Sequence, residues 1–146
     1  MKHTYIFLLL MFSCSPSADN LLTSDQQLFI SVIQEIETGG HPDPVNANGL
    51  HFERGPLQIT EAFFIDGMEH TPTIVGKFDD VRDIEFATRI VDSYFQRYAP
   101  KQWIDPLNNV DYLASIYNGG PTGPSKNAVK PYVKRFNKLL KLRRNK

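Results

Sequence analysis

The stretch 81–98 carries the clearest helical pattern in this sequence. Its apolar residues recur at steps of one, three and four positions: Ile84, Ala87, Ile90, Val91, Tyr94, Phe95 and Tyr98. This spacing places them on one face of an α-helix, and Pro100 follows where that helix should end. No segment alternates persistently between apolar and polar residues, so any sheet must be small and local. We therefore predict a mainly helical fold with this helix at its centre.

Four further helices are predicted, over about 25–38, over about 60–67, from near Asn109 and from near Pro131. Ser24 and Gln27 have the spacing of a capping box at the start of the first. Pro131 suits the first turn of the last, where a missing N–H costs nothing. Residues 39–54, rich in Gly, Pro, Asn and Asp, predict a loop-rich insertion or small hairpin after the first core helix.

The N-terminal residues differ from the rest of the chain. Lys2 precedes a short apolar run over 5–12, and small, turn-forming residues follow. This order is typical of a secretory signal, and the apolar run is too short to span a bilayer. We predict a signal peptide over 1–18, one folded domain over 21–146, and export to the periplasm or the exterior.

Cys14 is the only cysteine and lies where such a signal would be cut. The pair Ser13-Cys14 fits a bacterial lipoprotein signal, in which the cysteine is acylated. Ordinary cleavage near Ser17 or Ala18 is the alternative. In either case the folded domain has no disulfide and depends on packing.

Charge is balanced overall and uneven locally. The chain has 16 basic and 16 acidic residues, so its net charge predicts no nucleic-acid partner. Every charged side chain from Lys126 onward is basic. Four lysines share one helical face: Lys130, Lys134, Lys138 and Lys141. This face is either simply solvated or attracted to anionic envelope polymers or a membrane surface.

Four short motifs occur in a fixed order: 37–40 (ETGG), 55–59 (GPLQI), 117–121 (YNGGP) and 131–133 (PYV). Their order resembles the lysozyme-like superfamily, in particular the soluble lytic transglycosylases and the invertebrate-type lysozymes. The resemblance covers about 25–137. It implies a mainly α, α+β lysozyme-like fold and cleavage of the β-1,4 bond between N-acetylmuramic acid and N-acetylglucosamine in peptidoglycan.

The acid of that family lies at the end of the first core helix, a position that Glu37 matches. A general acid must hold its proton near neutral pH, and burial together with a helix C-terminus disfavours the charged form. Glu35 is the rival candidate, and we expect it to be a solvated partner of a lysine or arginine.

Further site residues are implied by the resemblance. Gln58 and Ile59 would line the cleft, with a loop-bracing role as the alternative for the Gln58 amide. Tyr117, Asn118 and Gly119 would approach the acid or the sugar, with a structural helix stop as the alternative. For Tyr132 two roles stay open, packing in the core and lining the cleft.

A second carboxylate is missing from its expected place. Invertebrate-type lysozymes carry one about eleven or twelve residues after the acid, where this chain has Asn48 and Gly49. Asp43, Glu53 and Glu61 are the nearby substitutes, and no spacing argument selects among them. A single acid favours the transglycosylase route slightly over hydrolysis.

We therefore predict a monomeric muramidase that acts on peptidoglycan strands without a cofactor. His41, His51 and His70 lack the spacing of a metal-ligand set. The competing hypothesis is a non-catalytic glycan-binding or envelope-structural protein that retains the fold.

Overall fold

The computed structural model describes residues 22–39 and 41–145. The signal peptide predicted over 1–18, including Cys14, lies outside the described residues. The described residues form six α-helices: α1 (Ser24–Thr38), α2 (Glu61–His70), α3 (Ile84–Tyr98), α4 (Pro100–Trp103), α5 (Val110–Gly119) and α6 (Lys130–Arg144). Short 3-10 turns cover Phe78–Arg82, Pro106–Asn108, Gly123–Ser125 and Asn127–Val129. The mainly helical prediction is confirmed.

The start of α1 corrects one detail of the prediction. The capping box consists of Thr23 and Gln26, not Ser24 and Gln27. The Thr23 hydroxyl accepts from the Gln26 N–H at 3.2 Å, and the Gln26 side chain accepts from the Thr23 N–H at 2.9 Å. Both pairs have the same three-residue spacing, so the sequence pattern could not distinguish them.

Phe29 is the centre of the hydrophobic core. Its side chain is fully buried, and its ring meets those of Phe95 in α3, Trp103 in α4 and Phe136 in α6 at centroid distances of 5.8, 5.8 and 4.5 Å. The Trp103 indole N–H donates to Asp92 at 2.7 Å, so this large side chain is buried with its polar atom satisfied. Four helices are therefore joined around one aromatic ring.

The insertion between α1 and α2 contains very little β-structure. Within the described residues there is no strand, only isolated antiparallel bridges that pair Arg54 with Asn48 and with Ile59. The predicted hairpin is thus reduced to a tight loop. Gly55 has a φ of +73°, and a Cβ there would lie 2.3 Å from the Val81 carbonyl oxygen, so only glycine lets the loop approach this turn.

No helix in the described part of the chain is both long enough and apolar enough to cross a bilayer.

Replacing Phe29 with alanine tests the aromatic centre. We expect the free energy of unfolding to fall by about 3–5 kcal/mol, because the cavity would open between four helices. Urea denaturation followed by circular dichroism measures it. Phe52→Ala is the matched control, since that ring is 83% exposed. An equal loss in both variants would contradict the assignment of Phe29 as the core centre.

Candidate active site

Glu37 lies in the last turn of α1, which carries no basic residue. Its side chain is partly buried and forms no ion pair with another described residue. The helix dipole at this end disfavours a negative charge. The predicted acid is therefore held where its ionised form is poorly stabilised.

Four effects act on the pKa of Glu37, and burial is the largest. Burial raises the pKa above its ordinary value, and the negative charge of Glu53 raises it further. The Tyr132 hydroxyl and the positive charge of Arg135 lower it, but the net shift is upward. A carboxyl of this kind keeps its proton to higher pH than an exposed glutamate does.

Tyr132 lies beside the acid at the start of α6. Its side chain is buried, and its hydroxyl is near enough to the Glu37 carboxyl to favour the charged form. The Tyr132 hydroxyl nevertheless has no hydrogen-bond partner among the described residues, so its contact with the Glu37 carboxyl falls short of ordinary hydrogen-bond geometry. A buried hydroxyl without a partner is costly, so it is available to the acid or to a bound ligand.

Tyr117 forms the neighbouring wall from the last turns of α5. Its ring is parallel to that of Tyr132 within 24°, with centroids 6.4 Å apart. Its hydroxyl donates to the Leu57 carbonyl. Burial, and then the charge of Glu37, raise the pKa of Tyr117 well above its usual range, so the hydroxyl stays protonated.

The loop motif is tied to the helices through its backbone. The Thr38 hydroxyl, one residue after the acid, donates to the Pro56 carbonyl at 2.9 Å. The next carbonyl, that of Leu57, receives the Tyr117 hydroxyl. Segments from all four sequence motifs therefore meet around Glu37.

Gln58 braces the loop, as the alternative interpretation had it. Its φ is +48°, which is unusual for a non-glycine residue. Its amide N–H groups donate to the carbonyls of Gly55 at 2.8 Å and Ala47 at 3.3 Å. These two hydrogen bonds hold the loop in shape, and they use the amide N–H groups that a ligand would otherwise bind.

The other three residues predicted to contact the substrate lie in different surroundings. Ile59 is 1% exposed and belongs to the core, so its side chain supports the loop from beneath. Asn118 is exposed at the end of α5. A Cβ at Gly119 would lie 2.6 Å from the Val129 side chain, so glycine there lets the end of α5 pack against the 3-10 turn over Asn127–Val129.

Glu53 is the one of the three candidate second carboxylates whose charge reaches Glu37. A Cβ built on Gly49 would lie 2.1 Å from the Glu53 carboxylate. The carboxylate of Glu53 thus occupies the space that a side chain at position 49 would enter. The backbone N–H of His51 donates to it at 2.9 Å and fixes its position.

Asp43 and Glu61 are engaged elsewhere. Asp43 is exposed and accepts the Asn46 side chain at 2.7 Å, and this bond is the largest cause of its lowered pKa. Glu61 is exposed in the first turn of α2, where a negative charge suits the helix N-terminus.

Glu35 is the partner of an arginine, as expected. Its carboxylate accepts the Arg143 Nε–H at 2.8 Å. Since this ion pair holds Glu35 against the C-terminal part of α6, Glu37 is the better candidate acid.

Arg135 was missed by the sequence analysis, which treated it only as one of many basic residues. Its guanidinium lies 5.7 Å from the centroid of the Tyr132 ring. Tyr132 and Arg135 are three residues apart on α6, and this spacing was the available signal.

The described residues contain no group of three or more His, Cys, Asp or Glu side chains that could hold a metal ion. The polar groups that do converge are two carboxyls, two tyrosine hydroxyls and a guanidinium. Such a set can donate and accept a proton at a bound ligand.

Comparisons with protein-family models and with curated proteins found no match for this chain. The likeness to lysozyme-like enzymes therefore depends on the four motifs alone.

Replacing Glu53 with glutamine tests the coupling of the two carboxyls. We expect the pKa of Glu37 to fall, because a negative neighbour that opposes its ionisation is removed. Carbon-13 NMR of the side-chain carboxyl during a pH titration measures it. Asp43→Asn and Glu61→Gln are the controls and should leave the Glu37 midpoint unchanged. An unchanged midpoint in Glu53→Gln would contradict the coupling.

Proposed function

We propose that this protein is an exported glycosidase of the lysozyme-like type. It cleaves the β-1,4 bond between N-acetylmuramic acid and N-acetylglucosamine in peptidoglycan, with Glu37 as general acid. The observation that carries this proposal is the raised pKa of a partly buried Glu37 at the meeting point of the four motifs. A single buried glutamate at a helix end is a weak signal, whereas its convergence with Tyr117 and Tyr132 is specific.

The chemistry begins with proton transfer. Protonated Glu37 donates its proton to the glycosidic oxygen, and the C–O bond to the leaving sugar breaks as positive charge develops on the ring. The Glu37 carboxylate then takes a proton from the incoming nucleophile. A raised pKa suits both steps, because the group must be protonated at the first and basic at the second.

Glu53 changes the balance between the two routes. The absent carboxylate at positions 48 and 49 favoured the transglycosylase route, in which the sugar's own 6-hydroxyl is the nucleophile. Glu53 supplies a carboxylate whose charge acts on the acid, and it is the candidate to stabilise the developing cation or to activate water. This observation supports hydrolysis as the main route.

Glu37→Gln is the direct test. We expect loss of cleavage by about 10²–10⁴-fold, because glutamine cannot donate the proton. Turbidity of a purified peptidoglycan suspension measures the rate. Glu35→Gln is the matched control, and it should retain activity because only a partly exposed ion pair away from the acid's carboxyl is lost.

The outcomes separate the competing functions. If the wild type binds peptidoglycan and neither protein cleaves it, the glycan-binding or structural hypothesis replaces the enzyme. Mass spectrometry of the products distinguishes the routes: reducing ends support hydrolysis, and anhydro-muramyl ends would show the transglycosylase route with the role of Glu37 intact.

The basic face of α6 supports a second part of the proposal, namely retention at an anionic envelope polymer or membrane surface. Lys130, Lys134, Lys138 and Lys141 are all exposed, while Tyr132, Phe136 and Leu140 on the same helix are buried. The lysines thus face away from the core as a continuous positive strip.

Replacing the four lysines with glutamine should reduce retention. We expect the fraction of protein that sediments with cell-wall sacculi or anionic vesicles at low salt to fall, because the attraction between exposed charges is screened least under that condition. The control replaces the same lysines with arginine and should keep the wild-type fraction. Equal sedimentation of the two variants would show that the face is only solvated.

A further inference from the structure

The described arginines divide into those with an acidic partner and those without one. Arg54, Arg82, Arg97 and Arg143 each pair with an Asp or Glu side chain. Arg89, Arg135 and Arg144 are exposed and form neither an ion pair nor a side-chain hydrogen bond with any described residue, and of these three only Arg135 has a charge that acts on Glu37.

The surroundings of Arg135 fix where its charge acts. Its guanidinium lies over the Tyr132 ring, 5.7 Å from the ring centroid, and its charge acts on Glu37. In the working enzyme Glu37 begins the reaction protonated, so this carboxyl then offers Arg135 no negative charge. The guanidinium consequently lacks a counter-ion at the moment when substrate is bound.

We propose that Arg135 is a specificity-determining residue that binds a carboxylate of the substrate beside the scissile bond. This inference rests on the proposed function. A guanidinium binds carboxylates through two parallel N–H···O bonds, and its stacking on Tyr132 orients the planar group. The site would then prefer peptidoglycan over a neutral polymer of N-acetylglucosamine.

Two sources can supply this carboxylate. One is the lactyl group of a muramic acid that carries no peptide. The other is a free carboxylate of the stem peptide, since the lactyl group is then consumed in an amide bond. Both present the same chemistry to the guanidinium, and strands of the two kinds distinguish them.

The experiment measures KM and kcat of wild type and Arg135→Gln on three substrates. These are peptide-bearing strands, strands freed of peptide by an amidase, and peptide-bearing strands whose carboxylates have been converted to neutral methylamides. We expect Arg135→Gln to raise KM about tenfold or more on whichever anionic strand supplies the carboxylate, and to change KM less than about twofold on the neutralised strand. Arg135→Lys should restore part of the loss, because it keeps the charge without the planar fork.

Arg89→Gln is the matched control, since it removes one exposed guanidinium from α3 and should leave all three KM values unchanged. An equal rise of KM on anionic and neutralised strands, or no rise on either, would overturn the inference.

A pH profile separates substrate binding from an effect on the acid. The groups that face Glu37 are Tyr132 and Arg135 from α6, Tyr117 from α5, and Glu53 from the loop. Removing Arg135 takes away a positive neighbour, so the alkaline limb of kcat should move to higher pH on every substrate. A shift of the alkaline limb without a difference in KM between strands would show that Arg135 acts only through the pKa of Glu37 and does not bind the substrate carboxylate.

The same strands titrated into Glu37→Gln, with and without Arg135→Gln, give dissociation constants that need no catalysis. If wild type cleaves no strand, the proposed function fails, while these constants still decide whether Arg135 binds a carboxylate.

Discussion

Two adjacent backbone carbonyls, those of Pro56 and Leu57, hold the candidate site together. The first accepts the Thr38 hydroxyl from the end of α1, and the second accepts the Tyr117 hydroxyl from the end of α5. Each bond also satisfies a loop carbonyl. The loop is tied as well to the 3-10 turn over Phe78–Arg82, where Arg82 donates to the Val45 carbonyl and to the Asn48 side chain. Within the described chain the loop forms only isolated bridges of its own, so it is held by two helix ends and this turn and not by a sheet.

Burial of Glu37 in this site makes the stability of the fold depend on pH. The pKa of Glu37 is raised in the folded protein, so folding favours the protonated form. The free energy of unfolding therefore falls as the pH rises above the pKa of an unfolded glutamate towards that of the folded protein. Tyr132 and Arg135 offset part of this cost by stabilising the anion. The pair keeps the carboxyl able to lose its proton, whereas burial and Glu53 keep it able to hold one. An acid that must act in both directions needs both influences.

Sequence reasoning predicted five of the six helices of the described chain, all except the short α4, because their signals are local. The apolar stripe of α3, the loop after α1 and the proline in the first turn of α6 follow from spacing and backbone chemistry. It also anticipated the pairing of Glu35 with a basic residue, although not that Arg143 would supply it. The capping residue of α1 was wrong by one position because two pairs had identical spacing. Arg135 was missed because its role depends on which face of α6 meets α1, a tertiary fact that charge counting does not contain.

The second carboxylate shows why spacing along the chain is a poor guide inside a loop. Along a helix, a given separation fixes a direction, but between residues 48 and 55 the chain turns back on itself. There Gly49 donates its N–H to the Glu53 carbonyl at 2.9 Å. The absence of a side chain at Gly49 leaves the volume that the Glu53 carboxylate fills, and a Cβ at position 49 would force that carboxylate out. Glycine at 49 and glutamate at 53 therefore depend on each other: the first leaves the volume free, and the second fills it from the returning arm of the turn. A residue missing at one position along the chain can thus be supplied by another that the turn brings back beside that position.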